Sequence, residues 1–411
     1  MKTAGVIVEY NPFHNGHYYH IQETKKVTGA DIIVAVMSGN FLQRGEPALV
    51  SKWARTKMAL QGGADIVIEL PYVFATQKAE IFAYGAVAIL DALNIDSLCF
   101  GSEDGNIESF KNTIKLMEEH ETSFNDTIRK SLQQGKSYPR SAADAFLSLH
   151  QDQSCVDLSQ PNNILGYHYI KAIHKLNSTI TPHTINRTKA NYHDQDIHDP
   201  KIASATSIRK ILFADQQDLE SIMNVIPRTS FDSIIEYKKE FKIFHNWERY
   251  FPLLKYRLLS TTPSELRKIY EVEEGIENRL IKYIRASKSF EDFMKKIKTK
   301  RYTWTRLQRI CLHILTNTLK DSMIENVAAP TYLRLLGMSN RGQNYLNKIK
   351  KNIEIPIISR LSAFSNSQIS FDINATQVYS CCLDEPYQTK MIESEFSNTP
   401  IRYANDEQLF I

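Results

Sequence analysis

The chain has 411 residues, 42% of them hydrophobic and 23% charged. That profile excludes a disordered chain, a collagen-like repeat and a coiled coil, and leaves room for two or three domains. The net charge is only +4, yet residues 279–309 hold eleven Lys/Arg against Glu291 and Asp292; taking that +9 from the total leaves −5 for the rest.

In chain order, strands are expected at 4–9, 32–37, 65–70, 97–100 and 179–186. Helical spacing falls between them at 18–28, 51–61, 79–93, 107–119, 128–134 and 162–176. Gly62-Gly63 ends one helix and Pro161 precedes another. Strands separated by helices imply parallel pairing, so the fold class is α/β: a Rossmann-like, doubly wound parallel sheet. Ligands in such sheets sit at the carboxyl ends of the strands. After about residue 225 the pattern changes. Residues 231–319 carry helical spacing only. Short helices follow, with weak strand signals at 355–358 and 375–382. The expected division is a nucleotide domain at 1–225 and a mostly α-helical domain at 226–411.

The longest apolar runs, such as 32–37, fall far short of the ~20 residues of a membrane span. Glu9, Asn11 and His14 interrupt any leader-like pattern after Lys2, so a cytoplasmic protein without a targeting segment is expected. Cys99, Cys155, Cys311, Cys381 and Cys382 show no C-x-x-C spacing, which argues against a disulfide framework or a structural zinc.

The first strand runs into Tyr10-Asn11-Pro12-Phe13-His14-Asn15-Gly16-His17. Pro12 and Gly16 bend the chain, and a helix is expected from about His17. A helix N-terminus beside strand ends suits an anion. His14 and His17 can donate to phosphate oxygens there, although two histidines alone also fit an ordinary polar surface. His17 and His20 share a helix face, but no further Cys/His completes a zinc set, and no metal site is expected. Asp194, Asp196 and His198 read as solvent-exposed linker. A second segment, Ser204-Ala205-Thr206-Ser207-Ile208-Arg209-Lys210, reads as a helix start with Ser207 as N-cap. Its hydroxyl and the free N–H groups would hold phosphates, with Arg209 adding a charge-assisted contact.

His14-Asn15-Gly16-His17 resembles the H-x-G-H signature of the nucleotidylyltransferase superfamily, and Ser207-Ile208-Arg209 resembles its second signature. The set formed by these, Met37-Ser38-Gly39-Asn40-Phe41, Gln43-Arg44-Gly45-Glu46-Pro47, Phe100-Gly101-Ser102-Glu103, Pro161-Asn162-Asn163 and Arg301-Tyr302-Thr303 resembles the bacterial tRNA(Met) cytidine acetate ligase family along essentially the whole chain. The resemblance implies that ATP and acetate form acetyladenylate, releasing pyrophosphate. The acetyl group then passes to N4 of the wobble cytidine of elongator tRNA(Met). It implies catalytic roles for His14, His17 and Arg209. It implies ATP binding by Ile7, Val8, Glu9, Tyr10, Asn11, Pro12, Phe13, His14, Asn15, Gly16, His17, Tyr18, Tyr19 and His20, and by Gly101, Asn162, Arg187, Ser207 and Arg209. Magnesium is expected with the triphosphate.

Asn162 reads equally as a helix N-cap and Arg187 as a surface cation. The polar loop 43–47 is a candidate enclosure for acetate or the acceptor base. In the basic segment, Lys298, Lys300, Arg301, Arg306 and Arg309 are candidate phosphate contacts and Trp304 a candidate base-stacking residue. Two rivals share parts of this pattern. One is a cofactor-type adenylyltransferase acting on a phosphorylated small molecule, which needs no basic helical part. The other is a non-catalytic tRNA-binding protein. No protein partner is inferable.

Overall fold

The computed structural model describes residues 1–136, 138–149, 155–187, 203–214 and 219–411. Five parallel strands form one half of a sheet: β1 (Thr3–Val8), β2 (Ile32–Ser38), β3 (Ile66–Leu70), β4 (Ser97–Ser102) and β5 (Thr181–Asn186). Their order is β5-β4-β1-β2-β3, so the order reverses between β1 and β4. Every residue of β2 and β3 is buried, which is why these strands read as unbroken Val/Ile runs rather than alternations. Crossover helices such as Asn15–Thr28, Lys52–Gln61 and Ala79–Ala92 cover the faces. The reversal opens a crevice at the carboxyl ends of β1 and β4.

The second half of the chain begins with helices from Arg228–Phe241 to Lys320–Asn326. It then returns to the same sheet. β6 (Leu333–Ser339) pairs antiparallel with β3, β7 (Ile357–Ile358) and β8 (Ile401–Ala404) pair with β6, and β9 (Leu409–Phe410) pairs with β8. The strand signal at 355–358 corresponds to β7. That at 375–382 is corrected: most of it lies in the Ser367–Ser380 helix. Asn366 caps this helix by accepting from the Ile369 amide at 2.7 Å. Ile369, Asp372, Thr376 and Tyr379 are buried at helical spacing, which outweighs the local β-branched composition. β6 carries no signal that separates its Leu-rich run from a helix.

A buried ion cluster fastens the late elements to the early ones. The Lys52 ammonium lies 2.8 Å from both oxygens of Glu69 on β3 and 2.7 Å from Glu395 of the Tyr387–Ser397 helix. Removing one partner of such a cluster strands a buried charge, at about 3–5 kcal/mol. Among the described residues no helix is long and apolar enough to cross a membrane.

Candidate active site

The turn after β1 sets the site. The helix starts at Asn15, two residues before the expected position, because His14 is its N-cap. His14 Nδ1 accepts from the Gly16 amide at 3.0 Å, and His17 Nδ1 accepts from the His14 amide at 3.3 Å. This is a capping box built from two imidazoles. The rings lie 3.8 Å apart, and Tyr10 packs edge-on against His17 at 4.9 Å. Burial, then Arg187 and Arg209, hold His14 down to about 3. Burial, then His14, hold His17 well below the usual histidine range. Both rings are therefore neutral. With Nδ1 accepting from backbone, each proton sits on Nε2, and each ring is a fixed donor.

The Ala205–Leu212 helix forms a facing wall. Its N-cap is Ser204, not Ser207, a correction to the sequence reading. Ser204 is extended (φ −72°, ψ 150°), and its Oγ accepts from the Ser207 amide at 3.0 Å. Ser207 lies inside the first turn, buried, and donates its hydroxyl to the Ser204 carbonyl at 2.8 Å. Arg209 joins the two signature segments: Nη1 donates to the Asn11 carbonyl at 2.8 Å and Nη2 lies 3.3 Å from Glu46 Oε2.

At β4, Gly101 meets Arg187, whose Cγ would lie 3.0 Å from a Cβ at that position. Arg187 Nη1 donates to Asn162 Oδ1 at 3.2 Å. Asn162 is not an N-cap, since Pro161 opens that helix after Gln160. The Glu103 carboxylate takes the Asn162 side-chain amide at 2.6 Å and the Asn163 backbone amide at 2.8 Å. The Phe100-Gly101-Ser102-Glu103 segment thus docks the Pro161-Asn162-Asn163 helix start.

One cavity gathers Ile7, Val8, Glu9, Tyr10, Asn11, His14, Gly16, His17, Tyr19, His20, Gly101, Asn162, Arg187 and Arg209. Burial and Arg187 lower His20 to about 4, and its Nε2 is buried without a partner. Pro12, Phe13, Asn15, Tyr18 and Ser207 do not line the cavity. Phe13 is fully buried beneath Gly62. Asn15 donates to the Asn224 carbonyl at 3.1 Å. Sequence reasoning missed an apolar wall of Phe82, Phe100, Leu165 and Tyr169 that suits a flat base, and assigned no ATP contact to Gln43, Arg44 or Glu46. Nothing in isolated apolar residues on helices marks them as a wall. Asp194, Asp196 and His198 lie outside the described residues.

The 43–46 loop connects this cavity to the basic segment. Gly45 (φ +77°) rests on the backbone of Arg309, and its carbonyl accepts from Trp247 Nε1 at 2.9 Å. Lys298, Lys300, Arg301 and Trp304 are exposed, while Arg306 is half-buried over the Tyr302 ring at 4.9 Å. Arg309 differs. It is buried and forms a two-pronged pair with Glu271, at 3.0 Å from Nε and 2.7 Å from Nη2. Burial alone would raise the Glu271 carboxyl, but Arg309 more than offsets it and leaves the group below its ordinary range.

The described residues include no group of three His, Cys, Asp or Glu placed to hold a metal ion. The cavity instead offers neutral N–H donors and guanidinium groups, a donor set for phosphate.

A parallel sheet with an H-x-G-H turn at its reversal point, facing an Arg-bearing helix start, defines a nucleotidyl transferase. The family described as HIGH Nucleotidyl Transferase matches residues 1–394. The chain is 50% identical over 416 residues to the tRNA(Met) cytidine acetate ligase of Bacillus subtilis, covering all of both chains. It is 51% identical over 402 residues to that of a Geobacillus species, covering 98% of this chain and all of the relative. The crystal structure of Thermotoga maritima TmcAL in its apo form superposes with a TM-score of 0.91 at 32% identity, covering 98% of this chain and 100% of the other. The same protein bound with alpha-thio ATP gives 0.90 at 31% identity, with the same coverage. The chain belongs to the HIGH nucleotidyl transferases and, within them, to the tRNA(Met) cytidine acetate ligase family.

Proposed function

We propose that this protein uses ATP to activate acetate as acetyladenylate and transfers the acetyl group to N4 of the wobble cytidine of elongator tRNA(Met). The observation that carries the reading is the pair of neutral imidazoles, His14 and His17, fixed as Nε2–H donors in a cavity whose rim loop touches a basic helix start. In the first step an acetate oxygen attacks the α-phosphorus in line and pyrophosphate leaves. His14, His17, Arg187 and Arg209 contribute by holding phosphate oxygens as charge shifts onto the leaving group. The apolar wall takes the adenine. In the second step the cytidine amine attacks the acyl carbon and AMP leaves. That amine is a poor nucleophile because its lone pair is delocalised into the ring, so a mixed anhydride is a suitable donor. The base must leave its stack to reach the site.

Residues 1–225 carry the nucleotide chemistry in this reading. Residues 226–411 offer the tRNA surface, centred on Lys298, Lys300, Arg301 and Trp304. Magnesium would be held by the triphosphate oxygens, and Glu46 is already paired with Arg209. A tRNA substrate places the protein in the cytoplasm. The test is mass spectrometry of elongator tRNA(Met) after incubation with ATP and acetate. One added acetyl group at the wobble cytidine is expected. Pyrophosphate exchange that ignores acetate but responds to a phosphomonoester would overturn the reading.

A further inference from the structure

We propose that Glu9 is the base that takes the proton from the cytidine amine as it is acetylated, an assignment that rests on the acetylation reading above. Glu9 follows β1 directly and its side chain lines the cavity. Its position is fixed at two points. The carbonyl accepts from the buried Arg55 guanidinium at 2.7 Å, and Oε1 accepts from the Gln43 amide at 2.8 Å. Among the described residues the second carboxyl oxygen takes no hydrogen bond. It is an acceptor left over at the wall of a cavity that also holds the His14, His17, Arg187 and Arg209 donors.

Three observations favour this role. The first is location. Gln43 belongs to the loop whose Gly45 lies on the Arg309 backbone, so Glu9 is bonded to the loop that joins the cavity to the Trp304–Leu315 helix. A base delivered across that helix meets this loop first. The second is elimination. His14 and His17 have their Nδ1 lone pairs committed to backbone amides, which makes their cavity-facing nitrogens donors. Glu46 is paired with Arg209. The charge that lowers His20 is that of Arg187, not one from the loop. The third is environment. Burial, and beyond it the neighbouring Glu46, raise the Glu9 carboxyl above its usual range. The Gln43 amide, Arg44 and Arg209 oppose that rise. Tyr169 from the Pro161–Lys175 helix and Arg55 from the Lys52–Gln61 helix also face it. Partial desolvation makes the carboxylate a stronger base than it would be in water.

The step balances without a further reagent. The amine nitrogen bonds to the acyl carbon and the bond from that carbon to the phosphate oxygen breaks. AMP leaves with the electron pair, and the amine proton passes to Glu9 and then to solvent.

The test supplies prepared acetyladenylate and elongator tRNA(Met) to the full-length protein, bypassing activation. General base catalysis contributes roughly 10²–10⁴-fold. Glu9→Gln should therefore slow acetyl transfer at least about 100-fold and remove the acid limb of its pH–rate profile. Glu9→Asp should keep part of the rate and shift the limb, which decides the matter if the Gln variant melts early. Wild-type transfer matched by a folded Glu9→Gln variant with the limb intact would overturn the assignment alone. A wild type that transfers nothing from acetyladenylate would overturn the acetylation reading and the assignment with it.

Discussion

Gly45 sits so close to Arg309 that a Cβ on Gly45 would fall 2.7 Å from the Arg309 amide nitrogen. The contact joins the rim of the ATP-type cavity to the first turns of the Trp304–Leu315 helix. Gly45 also needs its positive φ of 77°, which a side chain disfavours by about 1–2 kcal/mol. Gly45→Ala must move backbone rather than a flexible side-chain tip, and such overpacking costs a further ~1–3 kcal/mol. We expect a lower unfolding midpoint in urea. Acetyl transfer to tRNA should fall more than acetate-dependent pyrophosphate exchange, because the displaced loop lies on the acceptor side. Equal losses in both would show that the contact serves stability alone.

His14→Ala and His17→Ala should each suppress acetate-dependent pyrophosphate exchange. Deleting one fixed donor to developing charge costs roughly 2.7–4 kcal/mol, or about 10²–10³ in rate. Each change also opens the reciprocal cap, which adds about 1 kcal/mol of lost stability. The basic surface is built from other elements, so tRNA affinity measured by filter binding should change little. Exchange near the wild-type rate in either variant would remove both residues from the chemistry.

The pH dependence of adenylation follows from the same two rings. The required form is neutral imidazole. It is present above the depressed values, about 3 for His14 and well below the usual histidine range for His17, and is lost only as pH falls through them. The value of kcat/KM for ATP reports the free enzyme. It should therefore show no histidine limb from pH 8 down to about 5.5, although an unperturbed histidine would titrate near 6.5. A tenfold fall per pH unit beginning near 6.5 would mean that His14 or His17 ionises normally.

What could be read in advance was local, and what could not was distant in sequence. The H-x-G-H turn, the five parallel strands and the Gly62-Gly63 stop announce themselves within short windows, because strand period and turn residues are local properties. The N-cap was misplaced by three residues because Ser204 and Ser207 are chemically alike. Only the backbone angles show which one is extended. The return of β6 to pair with β3 spans more than 250 residues of chain, and no periodicity encodes it. Arg309 looked like its basic neighbours because Glu271, the residue that absorbs its charge, lies 38 positions away. Arg55 gave no signal at all, yet its guanidinium ties the carbonyls of Glu9, Ser38 and Gly39 at the ends of β1 and β2.

The basic segment therefore divides into cations that hold the fold and cations left for a polyanion. Arg309→Ala should strand Glu271, a largely buried carboxylate whose next basic neighbour is His313 at 3.9 Å, at about 3–5 kcal/mol, and thermal melting should report it. Lys298, Lys300 and Arg301 are exposed, and Arg301 pairs with the exposed Glu274 at 3.4 Å, so their joint replacement by Ala should leave the melting temperature nearly unchanged. If each meets one phosphate of a single-stranded stretch, tRNA binding should weaken and its log–log salt slope should flatten by about 2, at ~0.7 per contact. Trp304 is 37% exposed and donates Nε1 to Gln308 at 3.1 Å, which leaves a ring face for stacking. Trp304→Ala should lower affinity by roughly 1–3 kcal/mol with little change in slope, since stacking releases no counterions. A stable triple variant with unaltered affinity and slope would move the tRNA surface elsewhere on the molecule, and a Trp304→Ala variant that melts early with normal affinity would make that ring a structural one.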